Sequence, residues 1–182
     1  KPFDHDRSQH ENVSPASENV ALRVTHNPIF NMTYKGPRVA ICIAGLPRFY
    51  KEAHSNIVDS LITPNHADVF IHTWSSSDEE RQTIVALYNP KRYLIEPQKT
   101  FHHTAMNHDV MLSNHARYYT LSGFTTMLYS SWYSTSQSNL LKEQYRLEHD
   151  FVYDYVIRVR FDTVFNMPVV CSNYDKNILH IA

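Results

Sequence analysis

The sequence predicts an α/β domain, a three-layer sandwich built around a mostly parallel sheet. Short β-branched apolar runs at residues 38–45, 68–74, 92–96 and 153–162 alternate with segments of helical spacing, the pattern of successive βαβ units. The first run, Arg38-Val-Ala-Ile-Cys-Ile-Ala-Gly45, is continuously apolar, as expected of a strand buried on both faces. The 182 residues are 42% hydrophobic and 19% charged, enough material for one domain with a sizeable core.

Residues 1–36 show no period of two or of 3.6 and are interrupted by Pro2, Pro15 and Pro28. They read as an extended or partly disordered arm, with one short ordered piece around Val20 to Val24, before a domain spanning 37–182. Asn12-Val-Ser14 and Asn31-Met-Thr33 match the glycosylation sequon, a tripeptide common by chance in Asn- and Ser-rich sequence. After the first strand, Ala53, Ile57, Val58 and Leu61 give helical spacing over 52–61, and Pro47 suits the first turn of that helix. Asp68-Val-Phe-Ile-His-Thr-Trp74 is the second strand. Ser75-Ser-Ser-Asp-Glu-Glu80 supplies serine caps and first-turn acids for a helix to about Tyr88, which Asn89-Pro90 ends.

Arg92-Tyr-Leu-Ile-Glu96 is the third strand, closed by Pro97. Residues 98–122 read as loop with short helical pieces. Its His102, His103 and His108 lack the spacing of metal ligands and suit a solvated loop. Met127, Leu128, Trp132, Leu140, Leu141, Tyr145 and Leu147 predict one long or kinked helix over 125–149, with Glu148, His149 and Asp150 at its exposed end. Tyr153-Asp-Tyr-Val-Ile-Arg-Val-Arg-Phe-Asp162 is the last clear strand. The apolar, strand-like stretch 177–182 suggests a parent protein that continues beyond it.

Composition excludes several classes. Lys+Arg 17 against Asp+Glu 18 leaves a net charge of −1, so a nucleic-acid binder relying on a basic surface is not expected. No apolar run is long enough to span a bilayer, and no secretory leader opens the sequence. Cys42 and Cys171 are too few for a disulfide framework or a structural zinc site; Cys42 reads as a small core residue, and the default location is cytoplasmic. With only 3 glycines, the sequence holds neither G-x-G-x-x-G nor G-x-x-x-x-G-K. Also missing are the G-x-S-x-G elbow, H-E-x-x-H and an obvious Cys–His pair, which leaves hydrolase chemistry with little support.

In open α/β sheets, ligands collect beyond the carboxyl ends of the strands. Those ends carry Gly45-Leu46-Pro47-Arg48, His72-Thr73-Trp74, Glu96 and Arg158-Val-Arg160-Phe-Asp162. Gly45 would allow close backbone approach by a ligand, the next helix start would offer amide donors to an anion, and Arg48 could add a bidentate phosphate contact. The alternative is a tight turn at Gly45 and an Arg48–carboxylate pair. Arg158 and Arg160, two residues apart, share one strand face. Asp162 suits either a hard divalent cation or a buried pair with arginine. Trp74 could stack on a base, although core packing is the commoner role. Ser134 and Asn139, with Ser130, Ser131, Ser136 and Ser138, could reach ribose and base or serve the helix.

Taken in order, Arg38-Val-Ala-Ile-Cys-Ile-Ala-Gly-Leu-Pro-Arg48, Ala67-Asp-Val-Phe-Ile-His-Thr-Trp74, Tyr88-Asn-Pro90 and Tyr153-Asp-Tyr-Val-Ile-Arg-Val-Arg-Phe-Asp162 resemble a family of GT-A-type glycosyltransferases found among large DNA viruses, phages and bacteria. The similarity runs over residues 38–165 and is best from Tyr129 through the final Asp. It implies a Rossmann-like nucleotide-sugar-binding fold, a nucleotide-sugar donor and a glycan or protein acceptor. The family's helix-to-strand unit leads into an Asp-x-Asp motif that holds Mn²⁺ or Mg²⁺ against the donor diphosphate. Here Arg160-Phe-Asp162 stands at that position, so only Asp162 is carried over as a metal ligand, and Arg160 could itself neutralise diphosphate. Gly45 to Arg48 and His72 to Trp74 would flank the nucleotide. The acceptor-binding half, which supplies the base of inverting members, is short or missing, and no catalytic base is assigned.

Two other functions compete. Gly45-Leu-Pro-Arg48 after the first strand bears a faint likeness to the phosphosulfate loop of sulfotransferases, although Phe49 and Tyr50 stand where Ser/Thr and Gly belong. A non-catalytic interaction module, such as a viral assembly part, would instead use its 12 tyrosines to build an interface.

Overall fold

The computed structural model describes residues 36–101 and 121–178. The expected arm, both sequons, His102, His103, His108 and most of the 98–122 loop lie outside them. Four strands, β1 (Val39–Gly45), β2 (Asp68–Trp74), β3 (Arg92–Glu96) and β4 (Tyr155–Val159), form one sheet in the order β3-β2-β1-β4. Every pairing in it is parallel.

Between β1 and β2 run α1 (His54–Ile57), a π-helical turn (Val58–Ile62) and α2 (Thr63–Asn65); α3 (Asp78–Tyr88) joins β2 to β3. Both connections lie on one face of the sheet. There Ala53, Ile57, Leu61, Ile84 and Tyr88 pack with Ile41 and Ile43 of β1, Val69 and Ile71 of β2, Ile95 and Val159. The long helix α4 (Leu121–Glu148) joins β3 to β4 and covers the opposite face, where Leu141 and Tyr145 pack on Ala40, Cys42 and Phe70. Alternate residues of β1 thus feed two cores, which is why its sequence is apolar throughout. Each fully buried aliphatic side chain contributes roughly 1.5–3 kcal/mol of transfer energy.

α4 runs antiparallel to the strands. Ser134 meets the carboxyl end of β1, Ser138 accepts the Cys42 thiol at mid-strand, and Glu148 pairs with Arg92 at the start of β3. The first 13 residues of α4 therefore project about 20 Å beyond the carboxyl edge of the sheet, at 1.5 Å per residue. α4 packs over β1, β2 and β3. Val156 and Arg158, on the same face of the edge strand β4, remain exposed.

Several expected boundaries need correction. The 52–61 helix begins later as regular helix and runs further, to Asn65. Its opening hydrogen bond is Ala53 N–H to Phe49 O, so Pro47 precedes the helix instead of sitting in its first turn. α4 is one unbroken element that begins before 125, so residues 121 and 122 are helix instead of loop. The last strand stops at Val159, not at 162. There the Arg160 N–H turns to Thr163 Oγ1 at 3.2 Å, while Thr163 N–H donates to Arg160 O at 3.3 Å. The expected capping of α3 is present: Ser77 Oγ accepts Glu80 N–H at 3.2 Å, ahead of the acids Asp78, Glu79 and Glu80.

Candidate functional site

The strand order reverses between β1 and β4. The chain first moves outward through β2 and β3, then returns on the other face to lie beside β1. At such a reversal the loops leaving adjacent strands diverge and open a crevice at their carboxyl ends. Ile43 pairs with Val159, and neighbouring strands lie about 5 Å apart. Residues 46–49 and 160–163 therefore leave the sheet side by side.

Gly45 closes β1 with φ +116°, a conformation that side chains disfavour, although a Cβ there would meet nothing within 4 Å. Both of its backbone groups are held by side chains. Its N–H donates to Ser134 Oγ at 2.7 Å, and its carbonyl accepts Thr73 Oγ1–H at 2.7 Å. The Gly45 amide is thus committed to α4 and not offered to an anion. Next, Arg48 N–H folds back on Leu46 O at 2.8 Å. Phe49 then adopts φ 56°, uncommon for a bulky residue, with its side chain 66% exposed. Leu46 and Arg48 are exposed beside it. This turn leaves an apolar pair and a guanidinium exposed just past the end of β1.

Across the crevice, Arg160 Nε donates to Asp162 Oδ1 at 2.8 Å and Arg160 Nη2 to Asp162 Oδ2 at 2.6 Å. The Arg160 hydrogen bonds, reinforced by the charge of that guanidinium, hold the Asp162 carboxyl below its ordinary range against the opposing effect of burial, and the charge of Arg48 adds the least. Arg160 and Asp162 are thus joined directly, while Arg48 reaches Asp162 through its charge alone. Arg160 is exposed while Phe161, between the paired residues, is fully buried against Tyr88. The expected Arg–Asp pair exists, but on the surface instead of inside.

His72, Thr73, Trp74 and Ser134 form the layer beneath. All four are buried, because β2 is flanked by β1 and β3 and roofed by α4. His72 Nε2 lies 3.3 Å from Glu96 Oε1, and Nδ1 lies 2.8 Å from Ser134 Oγ. An ionised Glu96 can only accept, so neutral His72 carries its proton on Nε2 and Nδ1 accepts from Ser134. Burial lowers the His72 pKa and outweighs the raising effect of Glu96. Burial would raise Glu96, but hydrogen bonds from Lys99, His72 and Tyr133 hold it low. Lys99 Nζ sits 2.9 Å from Glu96 Oε2 and bonds the Tyr133 hydroxyl.

Trp74 is 4% exposed and stacks on Tyr133, with ring centroids 5.4 Å apart. Its faces are occupied by the protein's own aromatics. Arg158 is exposed on β4, two residues before Arg160. Asn139 is also exposed, next to the inward-facing Ser138, and lies further down α4 than the crevice. Glu96, Lys99 and Tyr133 were not among the candidate ligands, although the acid at the end of β3 was a visible signal. Phe49 carried none, since nothing in its type announces a left-handed turn.

At the other end of the sheet, a cleft of about 320 Å³ is lined by Gly36, Pro37, Asp154, Tyr155, Ser172 and Lys176. Its charges are used internally: Asp154 accepts Arg38 N–H at 3.0 Å and pairs with Lys176 at 3.3 Å. The crevice between β1 and β4 is the better candidate. No family model, curated protein or solved structure matches the chain.

Proposed function

We propose that the chain is a nucleotide-sugar-binding domain of GT-A type, acting in transfer of a sugar from a nucleoside-diphosphate donor to a glycan or protein acceptor. The observation that carries this reading is the pairing of loops at the strand-order reversal. Arg48 follows β1, Arg160 and Asp162 follow β4, and a Cβ added at Gly45 would meet nothing within 4 Å. Two exposed guanidiniums at a switch-point crevice suit a diphosphate, whose planar oxygen pairs match the guanidinium fork. Exposed Leu46 and Phe49 add apolar surface for the rest of the donor.

In glycosyl transfer, the bond from the anomeric carbon to the diphosphate oxygen breaks with its electron pair, and an acceptor oxygen bonds that carbon. Negative charge grows on the departing diphosphate. Arg160, held beforehand by Asp162, and Arg48 beside it would stabilise it more in the transition state than in the ground state. His72, Thr73 and Ser134 would act from beneath by holding Gly45, without touching donor. Mn²⁺ or Mg²⁺, implied by the resemblance, fits these residues poorly. One carboxylate faces the crevice from the motif position, and Arg160 occupies both of its oxygens. Among the described residues no helix is long and apolar enough to cross a membrane. Both cysteines are free and buried, and we place the activity in the cytoplasm.

Calorimetric titration with UDP-, GDP- and dTDP-sugars, with and without Mn²⁺, tests the proposal. At least one donor is expected to bind, and Arg48→Ala or Arg160→Ala to weaken it about tenfold or more. Absence of binding by all three donor classes overturns it.

A further inference from the structure

The geometry points to a diphosphate site that works without a divalent cation, in which Asp162 is a positioning residue that aims Arg160. This rests on the reading of the crevice as a diphosphate site. Asp162 gives both carboxylate oxygens to one guanidinium, at 2.8 and 2.6 Å. To ligate a metal it would have to share an oxygen already bonded to Arg160 and accept a dication beside the like charge of that guanidinium, a costly arrangement at hydrogen-bond range. Hard cations also need several oxygen ligands. Position 160 is Arg, so the motif position supplies one carboxylate and not two.

The same arrangement is well suited to an anion. A guanidinium has five N–H donors. With one from Nε and one from Nη2 on Asp162, three remain, and the Arg160 side chain is 64% exposed. An exposed ion pair contributes about 0–1 kcal/mol to stability, so the fold gains little from keeping it. Orientation is what the pair supplies. The turn locked by Thr163 and plugged by Phe161 keeps Asp162 in place under Arg160. An Asp at 162 thus serves by fixing the guanidinium plane, which lowers the ordering cost of gripping pyrophosphate.

The test titrates the full chain with pyrophosphate and with the three sugar nucleotides, in EDTA and in excess Mn²⁺. Affinities are expected to agree within about threefold between the two buffers. Arg160→Ala should weaken binding about tenfold or more, and Asp162→Asn about three- to tenfold, equally in both buffers. Asp162→Asn should also move the Arg160 Nε–H resonance, and Mn²⁺ should not broaden the amides of residues 160–163. Binding that requires Mn²⁺, or Mn²⁺ broadening at 160–163 that Asp162→Asn abolishes, overturns the inference while leaving the donor site standing. Pyrophosphate bound in EDTA through Arg160, with every sugar nucleotide refused, supports the inference and removes the glycosyltransferase reading. Failure of pyrophosphate to bind in either buffer overturns the inference.

Discussion

Ser134, midway along α4, accepts the backbone N–H of Gly45 at 2.7 Å, tying the helix on one face of the sheet to the last residue of β1. The same hydroxyl meets His72 Nδ1 at 2.8 Å, so one buried oxygen joins α4, β1 and β2 under the crevice. Ser134→Ala strips partners from two buried polar groups. It should cost about 1–3 kcal/mol, read as a lower urea midpoint with an unchanged slope. An unchanged midpoint would mean water replaces the hydroxyl without loss.

Gly45→Ala should destabilise through backbone conformation alone, because φ is +116° and the space for a Cβ is open. The expected cost is about 1 kcal/mol or more. Gly45→Ser should cost about the same in chemical denaturation, since its Cβ likewise meets nothing within 4 Å. A much larger penalty for Ser would point to a clash instead.

His72 makes stability depend on pH. Its folded pKa lies below the ordinary 6.5, chiefly through burial. As pH falls through about 6.5 the unfolded chain takes up a proton that the folded chain resists, so stability declines from pH 7.5 towards pH 5. Glu96, whose folded pKa is also lowered, acts in the same direction at lower pH, below its ordinary 4.5. The charges facing His72 are Glu96 and Lys99. His72→Gln should flatten the pH 5–7.5 slope of unfolding free energy relative to wild type. Parallel slopes in the two proteins would remove His72 as its source.

Phe161 separates Arg160 from Asp162 in sequence and is wholly buried. Phe161→Ala should cost about 3–5 kcal/mol and Phe161→Leu less. Because the plug holds the turn, the Leu variant should also weaken pyrophosphate binding while remaining folded by circular dichroism. Full affinity in a folded Leu variant would show that Thr163 alone holds the turn.

β1 and β2 were readable in the sequence because strands buried on both faces are rich in apolar residues, closed here by Gly45 and by the serines after Trp74; the edge strand β3 was readable from its short Tyr93-Leu94-Ile95 run before Pro97. The last strand was overextended because Arg160-Phe161-Asp162 continues its alternation; only the Thr163 turn, a local hydrogen-bond choice, stops it. That the loops carrying Arg48 and the Arg160–Asp162 pair start side by side was legible from topology, since they leave adjacent strands. What escaped was depth. His72 and Thr73 stand at a strand end like the arginines, yet their strand is central and roofed by α4, which turns them into supports. Nothing in α4's mixed pattern of serines and aromatics showed that Ser134 and Tyr133 would pack on the ends of β1 and β2, or that Asn139 would be exposed.

Two asparagines have a consequence for how short this domain can be made. Asn56 clasps the backbone of Phe165 from both sides, at 2.9 and 2.7 Å. Asn65, almost wholly buried, donates to Val169 O at 2.7 Å and accepts Cys171 N–H at 2.7 Å. The stretch past the crevice is therefore a girdle cinched over the first helical segment. Trimming the protein just after Asp162 would leave every strand intact yet strip Asn56 of its Phe165 partner and leave Asn65 with Leu61 O alone. Domain borders for any excised version belong beyond residue 171.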